Sequence, residues 1–144
     1  MQFIFPLALG LMSMAFLRSP SVCDIPLDHQ AVFSGQWSPA AEDIKEGFVE
    51  IQKFLDNPKG VDGWDRLDIN KICGNAKNYR VQLRGIIHDG KKHILYNFVM
   101  PHYIKDEEWR TTWSTFKLGG HDFWRIEYNP ATKACEFFET NPDR

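Results

Sequence analysis

From residue 79 onward the apolar side chains recur at every second position, the period of a strand with one face on a core. In residues 79–87 (YRVQLRGII), Val81, Leu83, Gly85 and Ile87 alternate with Arg80, Gln82 and Arg84. Residues 92–100 (KHILYNFVM) place Ile94, Tyr96, Phe98 and Met100 on one side, and Pro101 ends the run. Between the two runs lies Asp89-Gly90, the strongest short hairpin signal. After a longer connection, residues 111–118 (TTWSTFKL) read as a further strand. Gly119-Gly120 then turns the chain into residues 122–128 (DFWRIEY), where Trp124, Ile126 and Tyr128 share a face. Asn129-Pro130-Ala131-Thr132 makes the next turn, and residues 133–139 (KACEFFE) close the sheet.

Ahead of the strands the period is helical. Ile44, Phe48, Ile51 and Leu55 fall on one face of an amphipathic helix. Ser38 is the expected N-cap, Pro39 suits the first helical position, and Glu42 and Asp43 complement the dipole. Asn57-Pro58 and Gly60 stop the helix. Residues 61–76 (VDGWDRLDINKICGNA) read as a short helical turn or a solvated loop. Their Asp62, Asp65, Asp68 and Asn70 lack the order and the terminal Glu of a calcium loop. The expectation is therefore an α+β domain over residues 38–144, one N-terminal helix on a four- to five-stranded antiparallel β-meander. Residues 22–37 read as an irregular lead-in with Pro26 and Gly35 as breakers.

The first segment bears on compartment. Residues 3–17 are apolar and uncharged, too short for a bilayer that needs about 20 residues but fitting the core of a secretory signal. Ser19 and Ser21 suit cleavage before Val22, which makes residues 1–21 a signal peptide and the protein secreted or periplasmic. A lipid anchor at Cys23 is the lesser alternative, because Pro20-Ser21-Val22 is a poor lipobox, and a retained N-terminal helix is another. In an oxidising space two of Cys23, Cys73 and Cys135 would pair. Pairing of Cys73 with Cys135 is geometrically conceivable, as are two ordinary buried thiols.

Hydrophobic residues make up 43% of the 144, charged residues 25% and aromatic residues 14%, enough for a dense core. A net charge of −2, with no basic run, argues against nucleic acid and against an acidic membrane as partner. Neither zinc-spaced cysteines and histidines nor a Gly-x-Ser-x-Gly, phosphate-loop, dinucleotide or His-Glu-x-x-His motif is present. No cofactor, metal or catalytic group is expected from motifs.

The element order over residues 38–140 resembles the general layout of cystatin-like and nuclear-transport-factor-2-like folds. The stretch Gly119-Gly120-His121-Asp122-Phe123-Trp124-Arg125-Ile126-Glu127-Tyr128-Asn129-Pro130-Ala131-Thr132 is similar to the closing hairpin of small uncharacterised exported bacterial proteins. These resemblances imply a fold and transfer no activity. A cystatin-type inhibitor would need a Gln-x-Val-x-Gly loop and a Pro-Trp loop. Gln82-Leu83-Arg84-Gly85 is one residue short of the first and sits mid-strand, and no Pro-Trp dipeptide exists.

Strand alternation collects Arg80, Gln82, Arg84, His93, Asn97, Arg125 and Glu127 on the face opposite the helix, beside Leu95, Val99 and Phe123. Guanidinium groups among apolar patches suit an anionic or peptide ligand, and ordinary cross-strand Arg–Glu pairs would look alike. Trp113 alternates onto the same face if Phe116 and Leu118 point inward, and Trp109 lies in the connection before it. The candidate ligand-binding residues are thus Arg80, Arg84, Arg125, His93, Asn97 and Trp113. The function expected is non-catalytic binding of a small-molecule, peptide or protein ligand. The alternatives are a small enzyme with a pocket between helix and sheet, using His102 or His121, and a structural subunit forming a homodimer.

Overall fold

The computed structural model describes residues 23–25, 30–60, 63–115 and 119–141, and for residues 63–66 and 141 the backbone. The leader at residues 1–21 lies outside the described residues, as do parts of the lead-in and residues 116–118. The elements run β1 (Gln30–Val32), α1 (Ala41–Asp56), α2 (Gly63–Gly74), β2 (Arg80–His88), β3 (Lys91–Val99), β4 (Gly120–Asn129) and β5 (Ala134–Asn141). They form an α+β domain with one five-stranded sheet in the order β1-β2-β3-β4-β5. β2 to β5 make an antiparallel meander, whereas β1 joins β2 in parallel.

The period of two sets the sheet's inner face. Leu83 pairs with Tyr96 and Tyr96 with Ile126, while Val81 pairs with Phe98 and Phe98 with Trp124. All six are fully buried against Phe48, Ile51 and Leu55 of α1. The Phe98 and Trp124 rings stack at 3.8 Å. The hairpin signal is realised as a two-residue turn between the pair His88 and Lys91, with Asp89 at φ 50° and Gly90 at φ 74°. Both values are positive, as a type I′ turn matching strand twist requires.

Four expectations need correction. The helix begins at Ala41 and not at Pro39, because Trp37 is still bridged to Gly85 of β2 and Ser38 to Ala40 carry the chain from sheet to helix. Its N-cap, Ala40, makes no side-chain cap bond. Residues 63–74 form a second helix despite weak amphipathicity, since Ile69 and Ile72 are buried in the core and Cys73 is tied down. Tertiary packing here overrides a segment rich in Asp, Asn and Gly. The lead-in is not wholly irregular but supplies β1 and then crosses Gly85, with Gln36 N donating to Gly85 O at 2.8 Å. Only a glycine at 85 leaves room, since a Cβ there would overlap the Trp37 carbonyl. Finally, residues 111–115 are not a strand; they end an irregular strap that lies on the sheet.

The disulfide joins Cys23 to Cys73, 50 residues apart, and Cys135 is free. Cys73 ends up facing the lead-in, whereas Cys135 on β5 faces the groove beside α1, so the Cys73–Cys135 pairing that the sequence left open does not form. Closing the loop between Cys23 and Cys73, 50 residues apart in sequence, stabilises the fold by about 4 kcal/mol in the chain-entropy model. Cys23, the position considered for a lipid anchor, is thus the residue that pairs with Cys73.

Candidate functional site

The outer face of the sheet carries a row of polar residues whose register follows from the pairing. Gln82 lies opposite Asn97, Asn97 opposite Arg125, and Arg125 opposite Glu139. Arg84 lies opposite Leu95, and Val99 opposite Phe123. The strap, residues 104–115, crosses this row and is fixed by two buried amides. Gln82 Nε2 donates to the carbonyls of Trp109 and Thr112, both at 2.7 Å, while its Oε1 accepts from Ser114 N at 2.8 Å. Asn97 Nδ2 donates to Ser114 O at 3.0 Å and to Gln82 Oε1 at 3.3 Å. Both amides are 1% exposed, and an amide pair at the centre of a sheet face is stable there only with such partners.

Beside the strap opens a cleft of about 330 Å³. Arg84, Trp113, Ser114 and Arg125 supply its polar edge, and Leu95 and Phe123 its apolar floor. The Arg84 guanidinium stacks on the Trp113 ring, 4.1 Å from its centroid, and Trp113 meets Phe33 edge-on. Among the described residues no carboxylate pairs with Arg84, and its buried Nε has no hydrogen-bond partner. The buried Ser114 hydroxyl is likewise unpartnered. Stacking on an indole offsets about 1–2 kcal/mol of the cost of desolvating this cation and leaves its Nε–H donor unused. Arg125 instead donates from Nε and Nη2 to Glu139 Oε2, at 2.9 and 2.7 Å. That pair is about half exposed on both sides, so a competing anion displaces it at a cost of no more than about 1 kcal/mol.

Of the six residues singled out from the sequence, Arg84, Asn97, Trp113 and Arg125 come together at this cleft. Arg80 does not. It lies on the far side of the strap, ion-paired to Asp106 with its guanidinium 5.5 Å from the Trp109 ring. His93 is 2% exposed and belongs to a separate cluster at the hairpin end. Ser114, Glu139 and Thr140 line the cleft without having been anticipated. The facing pair Gln82 and Asn97 was the sequence signal that something docks here, but it does not say which segment.

Elsewhere, His102 and His121 flank Asp122, with Nε2–Oδ distances of 3.5 and 3.3 Å. The groove between α1 and β5 is lined by Glu50, Phe54, Asp56 and Cys135, among others, and by no histidine. Burial, reinforced by Glu50 and Glu136, pushes the Cys135 thiol up to about 12, which keeps it protonated and unreactive. Burial likewise raises the Tyr79 and Tyr96 phenols above their usual range. Among the described residues no group of three ligating side chains is placed to hold a metal ion, and no helix is long and apolar enough to cross a membrane.

Comparison with known proteins adds no relative: no family model, no curated protein and no solved structure matches this chain. The protein is therefore defined by its fold and its site, an α+β domain with a cationic, aromatic-walled cleft on the open face of its sheet.

Proposed function

We propose that the cleft binds a small amphipathic anion, with a carboxylate on Arg84 and an apolar body on Leu95 and Phe123. The observation that carries this reading is Arg84, a partly buried guanidinium on Trp113 with an unpartnered buried Nε and no carboxylate of its own. A carboxylate would accept from the Arg84 Nη groups, which the stacking on Trp113 leaves at the cleft, and Arg125 can exchange Glu139 for the ligand. Export of the protein is part of the proposal, supported by the apolar leader and by a disulfide, which persists in oxidising compartments. The likeness to cystatin-like and nuclear-transport-factor-2-like layouts rests on element order alone and lends no ligand.

Tryptophan fluorescence, titrated with phenylacetate and with the neutral 2-phenylethanol, tests the reading. Phenylacetate is expected to give a saturable change and the alcohol none. Arg84→Gln, with unchanged circular dichroism, is expected to weaken binding by roughly 10- to 150-fold, the equivalent of about 1.5–3 kcal/mol for a hydrogen bond to a charged group. Equal responses to acid and alcohol, or full binding by the variant, refute it.

A further inference from the structure

On the far side of the strap from the cleft lies a second groove, of about 720 Å³. It opens at the end of the sheet opposite the hairpin, where Arg80, the first residue of β2, pairs with Val99, the last of β3. Lys77 enters it from the single helical turn Ala76–Asn78 that precedes β2. Met100 and Pro101 line it just past β3, and Asp106, Trp109 and Arg110 line it from the strap. Gln82, which holds the Trp109 carbonyl, therefore builds this groove as well as the cleft.

Charge is unbalanced in this groove. Lys77, Arg80 and Arg110 bring three permanent positive charges, against the one carboxylate of Asp106 among the described residues that line it. Asp106 pairs with Arg80 but its side chain is 83% exposed, so it reaches in from water and does not close the site. Among the described residues neither Lys77 nor Arg110 is paired with a carboxylate. His102 at the rim lies 3.5 Å from Asp122 and adds no permanent charge. Two uncompensated cations in one groove stand out in a chain whose net charge is −2, and they draw an anion.

An aromatic ring fixes where two of these charges stand. Trp109 is 6% exposed, and two guanidinium groups lie over it, Arg110 at 4.1 Å and Arg80 at 5.5 Å from the ring centroid. Attraction to the ring quadrupole holds both cations at one indole, against their mutual repulsion. Backbone carbonyls steady them further, since Arg80 Nη1 donates to Ile104 O at 3.3 Å and Arg110 Nη1 to Gln30 O at 3.4 Å. Each guanidinium has five N–H donors, so both keep donors for a ligand.

We propose that this groove is a second binding site, which takes the phosphoryl group of a small phosphate monoester on Lys77, Arg80 and Arg110. At about pH 8 such a group carries a charge of about −2 and offers three terminal oxygens to charge-assisted hydrogen bonds. That charge matches the excess in the groove, which a carboxylate or a sulfate ester, each a monoanion, leaves half compensated. Met100 and Pro101, both half-buried, supply apolar surface beside the cations for the organic part of the ester. The site shares no lining residue with the cleft and does not rest on the carboxylate reading given above.

Calorimetric titration of the full chain with phenyl phosphate, phenyl sulfate and inorganic phosphate, at about pH 8 and low salt, tests this. Phenyl phosphate is expected to bind roughly tenfold or more tighter than phenyl sulfate, which has the same ring and one charge fewer. Inorganic phosphate is expected to bind more weakly than the ester; equal affinity assigns the site to the free ion and overturns the ester. Lys77→Gln and Arg110→Gln, at exposed positions where folding is not at risk, are each expected to weaken binding roughly tenfold. In ¹H–¹⁵N spectra the Trp109 indole and the Lys77 and Arg110 amides should shift with the ester. The site is overturned if phenyl sulfate binds as tightly as phenyl phosphate, or if both variants bind within about threefold of the wild type. Shifts confined to Arg84, Trp113 and Ser114 overturn it too, because they place the phosphate in the cleft. Phenylacetate against Arg84→Gln stays the test of the cleft, so either site can fail alone.

Discussion

Gln82→Leu removes the amide that pins the strap while keeping nearly the same volume. This side chain donates to two strap carbonyls at 2.7 Å each and accepts from Ser114 N at 2.8 Å, with a fourth bond accepted from Asn97 at 3.3 Å. At a net worth of about 1 kcal/mol each, the set contributes about 4 kcal/mol at most. Leaving the strap groups unpaired and buried would cost more than that, so the strap lifts into water instead and regains chain entropy. The expected loss is therefore about 2–4 kcal/mol, felt mainly as local opening, or roughly 30- to 700-fold in the open population. Lys105 and Arg110, both exposed, are trypsin sites within the strap. Cleavage there should accelerate by that factor in the variant, while unfolding of the helices in urea shifts less. Phenylacetate binding should disappear, because Trp113 and Ser114 reach the cleft only through the docked strap. Cleavage within about threefold of the wild type refutes the idea that Gln82 holds the strap.

Two further outcomes follow from burial. Gly47→Ala gains about 1 kcal/mol of helix propensity but drives a methyl group into the Tyr96 hydroxyl, which donates to Ile44 O at 2.7 Å. Overpacking and loss of that bond outweigh the gain, and urea denaturation should show a net loss of about 1–4 kcal/mol, against little or none for Gly74→Ala, where a Cβ meets nothing within 4 Å. Alkaline stability should fall, because burial raises Cys135 and Tyr128 each to about 12 and lifts Tyr79 and Tyr96 as well. The unfolded chain releases these protons at their ordinary, lower values, so their contribution is complete below about pH 8.5. It is then lost as pH rises, by up to about 1.4 kcal/mol per pH unit for each group. Denaturant midpoints that stay level between about pH 9 and about pH 11 contradict this reading of the core.

What the sequence by itself determined was everything governed by local period. Alternation from residue 79 specified β2, β3 and β4 and which residues of each face inward, because a one-residue slip would expose Tyr96, Phe98 and Trp124 together. Asp89-Gly90 specified the turn, and Ile44, Phe48, Ile51 and Leu55 specified the buried stripe of α1. The same alternation put Arg84, Asn97 and Arg125 on one face.

Only the tertiary structure decided the rest, because it depends on contacts between residues far apart in the chain. β1 and α2 lack the pattern of strand or helix and owe their form to β2, to the core and to the Cys23–Cys73 bond. Local sequence cannot show that the connection after Pro101 folds back as a strap, since its anchors, Gln82 and Asn97, lie about thirty and about fifteen residues away. That strap separates Arg80 from Arg84, two residues the sequence makes equivalent. The bulge at Phe137 breaks the alternation the sequence implies and lays its ring on His88. A period of two fixes which face a side chain takes, and the long-range contacts fix what it finds there.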